Sequence, residues 1–235
     1  MIDRSTAFGS ALLACGVVVS ALGYVGVQSV PIAVFGFSLS IIGALLLLLV
    51  PVSAPPDAFK SLLRDSIANI EVVLEESHLR NRAYFVPTSS GEVRAFVPMS
   101  DLDVGANLVD AVNGSKFISQ VGGVRGLLLV PPGNEIVKLS KVARGDDPEE
   151  ALRSALVSFS DLAGSVLLVE EEGKVKIQIG GARLSSDLPY FNDALGSPVS
   201  CVASCVVSAA KGQPVRMLDE KFDPKMSRLT LEVVA

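Results

Sequence analysis

An uncharged apolar N-terminus followed by a mixed, turn-rich remainder predicts a two-helix transmembrane hairpin joined to an α+β soluble domain, built mainly from antiparallel hairpins with helices. Three observations lead there. No charged residue occurs between Arg4 and Asp57. Beyond Asp57, β-branched and aromatic runs come in pairs around glycine-containing turns, at 83–98 and 166–179. Capped or amphipathic helical patterns separate those pairs. The chain has 235 residues, 49% of them apolar, and carries 20 Lys and Arg against 25 Asp and Glu. A formal charge of −5 with no basic cluster argues against nucleic acid as a partner, because duplex binding is driven by cationic side chains that neutralise phosphate.

An α-helix rises about 1.5 Å per residue, so about 20 apolar residues cross a hydrocarbon core. The uncharged run holds two such helices, and Gln28-Ser29-Val30-Pro31 is the natural break, since proline suits a helix start and not its interior. Helices are expected near 6–28 and 31–52, within a hairpin unit of residues 1–56 that leaves the bilayer through Pro51-Val52-Ser53-Ala54-Pro55-Pro56. Small residues at four-residue spacing, Gly16 and Ser20 in the first helix and Gly36, Ser40 and Ala44 in the second, allow close packing of the pair. The lipid bilayer is therefore the first expected partner. No ionisable group marks a transport path inside the hairpin. Arg4, Lys60 and Arg64 flank it and the connection between spans has no basic residue, so both termini and the soluble domain are expected in the cytoplasm. Asn113-Gly114-Ser115 fits a glycosylation triplet and points the other way, although Asn-Gly is also a turn signal.

Residues 57–235 form the soluble part. Phe59, Leu62, Leu63, Ile67, Ile70, Val73 and Leu74 give one apolar stripe, so 57–78 is an amphipathic helix that docks on the core or pairs with a second copy. Ala83–Pro87 and Val93–Pro98 flank a Gly-containing turn as the first hairpin. Residues 99–123 read as a loop with one short helix at 108–112. A buried strand at 126–130 and a short helix at 134–142 follow. Asp146-Asp147-Pro148-Glu149-Glu150 opens a helix to about Ala163, with a capping acid, a first-turn proline and carboxylates at the positive end of the dipole. Val166–Val169 and Val175–Ile179 form a second hairpin, and a polar connection carries Tyr190 and Phe191. A helix from 198 to 211 capped by Gly212 leads to closing strands at 214–220 and 228–234. The whole is one domain or two subdomains, 57–145 and 146–235.

The chemical inventory is thin, and no catalytic residue, metal site or cofactor is predicted. His78, the one histidine, sits at a helix end among charged neighbours. Cys201 and Cys205 lie one helical turn apart, as reduced small core residues rather than half of a zinc site. No Walker lysine or Gly-x-Gly-x-x-Gly fingerprint is present. Gly122, Gly123, Arg125 and Gly126, with Gly133 and Asn134 at the next helix start, are the nearest approach to an anion site. Asp101–Asn107 is not an EF-hand, because glycine takes its fifth place and Val112 its twelfth.

The segments Ser77-His78-Leu79-Arg80-Asn81-Arg82-Ala83-Tyr84-Phe85-Val86-Pro87, Leu195-Gly196-Ser197-Pro198-Val199-Ser200-Cys201 and Gly212-Gln213-Pro214-Val215, behind two spans, resemble a family of uncharacterised archaeal membrane-anchored proteins. That resemblance implies the same layout and no assigned activity. The helix with two closing strands also resembles the end of the vinyl-reductase type of small-ligand domain, without its cysteine cluster. The expected function is a membrane-anchored, non-enzymatic protein that presents a cytoplasmic interaction or scaffold domain to a protein partner or a second copy. The alternative is a membrane-tethered small-ligand sensor or regulatory domain, distinguished by polar residues converging on one pocket.

Overall fold

The computed structural model describes residues 4–48, 56–102, 108–112, 116–171, 173–223 and 225–234. The expected proline-rich exit at 51–55, most of the loop from Asp101 to Asn107, and Asn113-Gly114-Ser115 lie outside them. The chain divides into two compact units, Met1–Ala54 and Pro55–Ala235.

In the first unit, α1 (Arg4–Ala21) passes into a π-helical turn, Leu22–Gly26, and α2 spans Val30–Leu48. The first helix with its π-helical turn ends two residues before the expected residue 28, because the chain reverses at residues 27–29, with Gln28 at φ +52°. The Ser29 N–H closes that reversal on the Gly23 carbonyl at 2.9 Å. Pro31 falls in the first turn of α2, where its missing N–H costs nothing. Among the described residues of this unit the buried ones are all glycines: Gly9, Gly16, Gly23, Gly36 and Gly43. They recur every seven residues along each helix, the spacing that keeps one seam facing a partner helix. A Cβ on Gly16 would lie 2.5 Å from the Ser40 nitrogen, and one on Gly43 2.5 Å from the Leu13 nitrogen. Gly36 meets Ser20 backbone in the same way. Outside the seam, Phe8, Leu22, Tyr24, Val25, Phe35 and Phe37 are 61–77% exposed. Phe8–Gly26 is 19 residues long and spans about 28 Å, while the apolar run of α2, Val30–Leu46, is shorter.

The second unit has an eight-stranded, wholly antiparallel sheet. Its strands are β1 (Tyr84–Pro87), β2 (Val93–Pro98), β3 (Ile118–Val121), β4 (Val124–Leu129), β5 (Ser165–Glu171), β6 (Lys174–Gly180), β7 (Val215–Lys221) and β8 (Met226–Val233), in the order β3-β4-β2-β1-β7-β8-β6-β5. Its helices are α3 (Pro56–Glu76), α4 (Leu108–Val112), α5 (Gly133–Leu139), α6 (Pro148–Leu152) with a π-helical continuation Arg153–Phe159, α7 (Pro189–Leu195) and α8 (Pro198–Lys211). Each half of the sheet comes from one half of this unit's sequence, β1–β4 before residue 130 and β5–β8 after residue 164. They join through two residue pairs, Tyr84 with Arg216 and Phe85 with Val215.

Alternation along the strands decides which face each side chain takes. Phe85, Ala95, Leu127, Ile177 and Leu231 point to the main core, shared with α3, α5, α6, α7 and α8. Tyr84, Val86, Phe96 and Leu128 point the other way, under Leu108 and Val112 of α4. Helix α8 packs on β1 and β7 across the join, with all its residues buried except Lys211. Its small side chains permit close approach: the Ser208 hydroxyl donates to the Phe85 carbonyl at 3.0 Å. Helix α8 is apolar because it is a core helix.

Three expectations require correction. The stretch 99–123 contains strand β3, which alternation hides because only Val121 of its four residues is buried. The polar connection after Gly181 contains α7, too short for periodicity to reveal. Its first amides are held by α3: Glu71 accepts from the N–H of Tyr190 at 3.2 Å and of Phe191 at 2.5 Å. The helix from Pro148 widens after Leu152 and stops at Ser160, whose hydroxyl donates to the Ala155 carbonyl.

Candidate functional site

The six sequence-predicted anion-site residues occupy two separate places. Gly122 and Gly123, at φ +54° and +85°, are the two central residues of the β3–β4 hairpin, between paired Val121 and Val124. Two positive φ values are what a type I′ turn requires. Arg125 is exposed on β4, and a Cβ on Gly126 would lie 2.5 Å from the Phe96 ring. Gly133 presses on α8, where a Cβ would meet Val202 Cα at 2.8 Å. The Asn134 side chain, 2% exposed, accepts from the Val93 N–H at 2.8 Å. Four of the six lie on the β3–β4 hairpin and two at the start of α5, with residues 127–132 of the chain between them. Of the hairpin residues, Gly16, Ser20, Gly36 and Ser40 meet across the glycine seam, and Ala44 is half-buried one residue from Gly43.

Polar groups converge elsewhere, in a cavity of about 230 Å³ lined by Arg82, Ser186, Asn192, Asp193, Ser197, Glu220 and Phe222. The topology explains the meeting. Arg82 precedes β1, which pairs with β7, and β7 carries Glu220 at its far end. Helix α7 brings Asn192 and Asp193, and Ser197 is the N-cap of α8. Gly196 stands at φ +79° where a Cβ would fall 2.5 Å from Met217 Cε and 2.7 Å from Glu220 Oε2. Only glycine leaves room for that carboxylate.

Hydrogen bonds hold these groups in place. Arg82 Nη1 donates to the Asn192 carbonyl at 2.9 Å and touches Met217 Sδ at 3.5 Å. The Asn192 amide donates to the Ser186 carbonyl, and the Ser186 hydroxyl donates to Asn192 Oδ1, both at 2.9 Å. Glu220 Oε2 accepts from the Ser197 N–H at 2.8 Å. Glu220 Oε1 is buried and has no hydrogen-bond partner. Asp193 is paired with Arg80 at 2.8 Å, and the Arg80 guanidinium stacks over the Tyr190 ring at 4.2 Å. Arg82 makes no ion pair among the described residues.

The other chemically interesting residues have internal roles. His78, at φ +52°, closes α3: its N–H bonds Glu75 O and the Leu79 N–H bonds Leu74 O, the double bond of a Schellman cap. Cys201 and Cys205 are free thiols, fully buried on α8, and burial pushes the Cys205 thiol well up. Asp147 caps α6 by accepting from the Glu150 N–H at 3.0 Å. A larger cavity, about 630 Å³, lies between the β1–β2 turn and the end of α8, with Arg144 and Thr88 in an otherwise mainly apolar lining.

A family described as "Domain of unknown function (DUF7982)" matches residues 2–232, nearly the whole chain. The chain belongs to the DUF7982 family. The match runs through both units, so hairpin and α+β domain together make up the family's architecture. No curated protein and no solved structure matches this DUF7982 chain. Two of the three segments that carried the sequence resemblance, Ser77–Pro87 and Leu195–Cys201, supply Arg82 and Ser197 to the small cavity. The sequence offered those segments as structural motifs. Their meeting with Glu220 depends on the β1–β7 pairing, which nothing local announces.

Proposed function

We propose that this DUF7982 chain is an integral membrane protein whose hairpin tethers the α+β domain on the cytoplasmic side, and that the domain acts by binding a protein partner rather than by catalysis. One observation carries the anchor: the hairpin buries glycine and turns its phenylalanines, leucines and valines outward. Such a surface is costly in water and suited to lipid. Arg4, Lys60 and Arg64 support the cytoplasmic side. The binding role is supported by β5, which ends the sheet order and offers its backbone on one side. Leu167 and Val169 on that strand are 50% and 42% exposed, with no proline or lysine to block strand addition.

Alkaline carbonate washing of membranes that contain the full chain tests the anchor. Retention in the pellet supports it, and release into the wash refutes it. The exposed substitution Leu167→Lys should leave the fold intact and remove a copurifying protein or a homo-oligomer. An unchanged complex would exclude β5 as the contact.

A further inference from the structure

We infer that the cavity between α7 and β7 is a binding site for a small zwitterion of the α-amino-acid class, with Arg82 holding the carboxylate and Glu220 the ammonium. Two opposite charges line one cavity of about 230 Å³ without forming an ion pair with each other. Each lacks what the other would have supplied. Glu220 Oε1 is shielded from water with no donor, and an orphaned carboxylate oxygen costs free energy that a ligand N–H recovers once the carboxylate turns it toward the cavity. Arg82 is anchored by the Asn192 carbonyl through one nitrogen, which leaves further guanidinium donors in a fixed plane for a carboxylate.

The charge balance selects the ligand class. Asp193 also lines the cavity but is neutralised by Arg80 at 2.8 Å. What remains is one positive and one negative group. A simple anion would meet Glu220, a simple cation would meet Arg82, and a zwitterion satisfies both. The volume lies below the roughly 300–1,000 Å³ of sites for drug-sized ligands, which fits a molecule of amino-acid size. The Ser186–Asn192 clasp fixes the wall beside Arg82 before any ligand arrives, so binding orders little that is loose.

The experiment is a calorimetric titration of the full-length protein in detergent with glycine, L-alanine, acetate, methylammonium and trimethylglycine. Glycine or alanine should bind. Acetate and methylammonium, each lacking one charge, should bind about tenfold more weakly or worse. Trimethylglycine keeps both charges but has no N–H for Glu220 Oε1, and it should fall in the same weak group. Glu220→Gln and Arg82→Gln should each weaken glycine binding about tenfold or more. Failure of both amino acids to bind the folded wild-type protein would overturn the inference. So would acetate or methylammonium binding as tightly as glycine, which reassigns the cavity to a plain anion or cation. Because the panel is read on the wild type, the result stands even if a variant fails to fold.

Discussion

The two units of this chain bury opposite kinds of residue. Among the described hairpin residues the buried positions are Gly9, Gly16, Gly23, Gly36 and Gly43, while Phe8, Leu22, Phe35 and Phe37 face outward. In the α+β domain Phe85, Phe96, Phe191 and Leu156 are wholly buried, and Lys174, Lys176 and Gln178 on β6 face outward. The difference is what the proposed membrane placement of the hairpin would produce. Water drives apolar area inward at about 25 cal/mol per Å², so the domain is organised by side-chain volume. Lipid exerts no such force between apolar surfaces, and helices then associate through close backbone contact, which glycine permits.

The largest expected effect comes from changing the same residue type on both sides of that contrast. Phe85→Ala should destabilise the domain by about 3–5 kcal/mol, the usual cost of a phenylalanine-sized cavity in a core. Phe35→Ala, at a position 63% exposed, should change hairpin stability in detergent by no more than about 0.5 kcal/mol. Chemical denaturation followed separately in each unit reads both. Equal losses would mean that the outer face of the hairpin is packed as a core is, and the contrast would fail.

An intermediate effect should follow from adding one methyl group. Gly16→Ala places a Cβ 2.5 Å from the Ser40 nitrogen, and Gly133→Ala places one 2.8 Å from Val202 Cα. Backbone lines both contacts, so neither can yield by turning a side chain. Each substitution should cost about 1–3 kcal/mol by overpacking. The Gly133 result sharpens the comparison, because it would show that the domain uses glycine contact where α5 crosses α8. Melting temperatures unchanged from wild type at both positions would show that the helices can separate freely.

Much of this architecture could be read from the residues. The alternation of Val175, Ile177 and Ile179, the Ser197-Pro198 start and the Gly212 end of α8 are local signals, and the elements lie there. The hairpin seam was legible at two spacings. Gly16, Ser20, Gly36 and Ser40, four residues apart along each helix, meet across it, and the glycines at 9, 16, 23, 36 and 43 mark it at a seven-residue repeat as well. What stayed hidden depends on distant partners. Helix α7 is capped by a carboxylate 119 residues earlier, and the Arg82–Glu220 cavity exists because β1 and β7 pair over only two positions. The predicted anion-site glycines carried a true signal of positive φ and close approach, which turns and helix contacts use as readily as ligands do.

The smallest effect concerns pH, and it separates the units by charge. The Glu92 carboxyl is held below its usual range chiefly by the hydrogen bond from Lys138 at 2.8 Å, with Arg94 adding to it. A depressed folded-state value means the pair stabilises the domain above the unfolded carboxylate range, about 4.3, and that this contribution is lost as pH falls through the folded value. Glu92→Gln should therefore flatten the decline in domain melting temperature below about pH 4.3. The change should be slight and should vanish in about 1 M salt, because the pair is solvent-exposed and screened. Between Arg4 and Asp57 the hairpin has no acidic or basic residue, so its own melting should not follow pH across the same range. A hairpin transition that tracked the domain's acid decline would show that the two units unfold together, and the contrast in what they bury would then describe one cooperative structure rather than two.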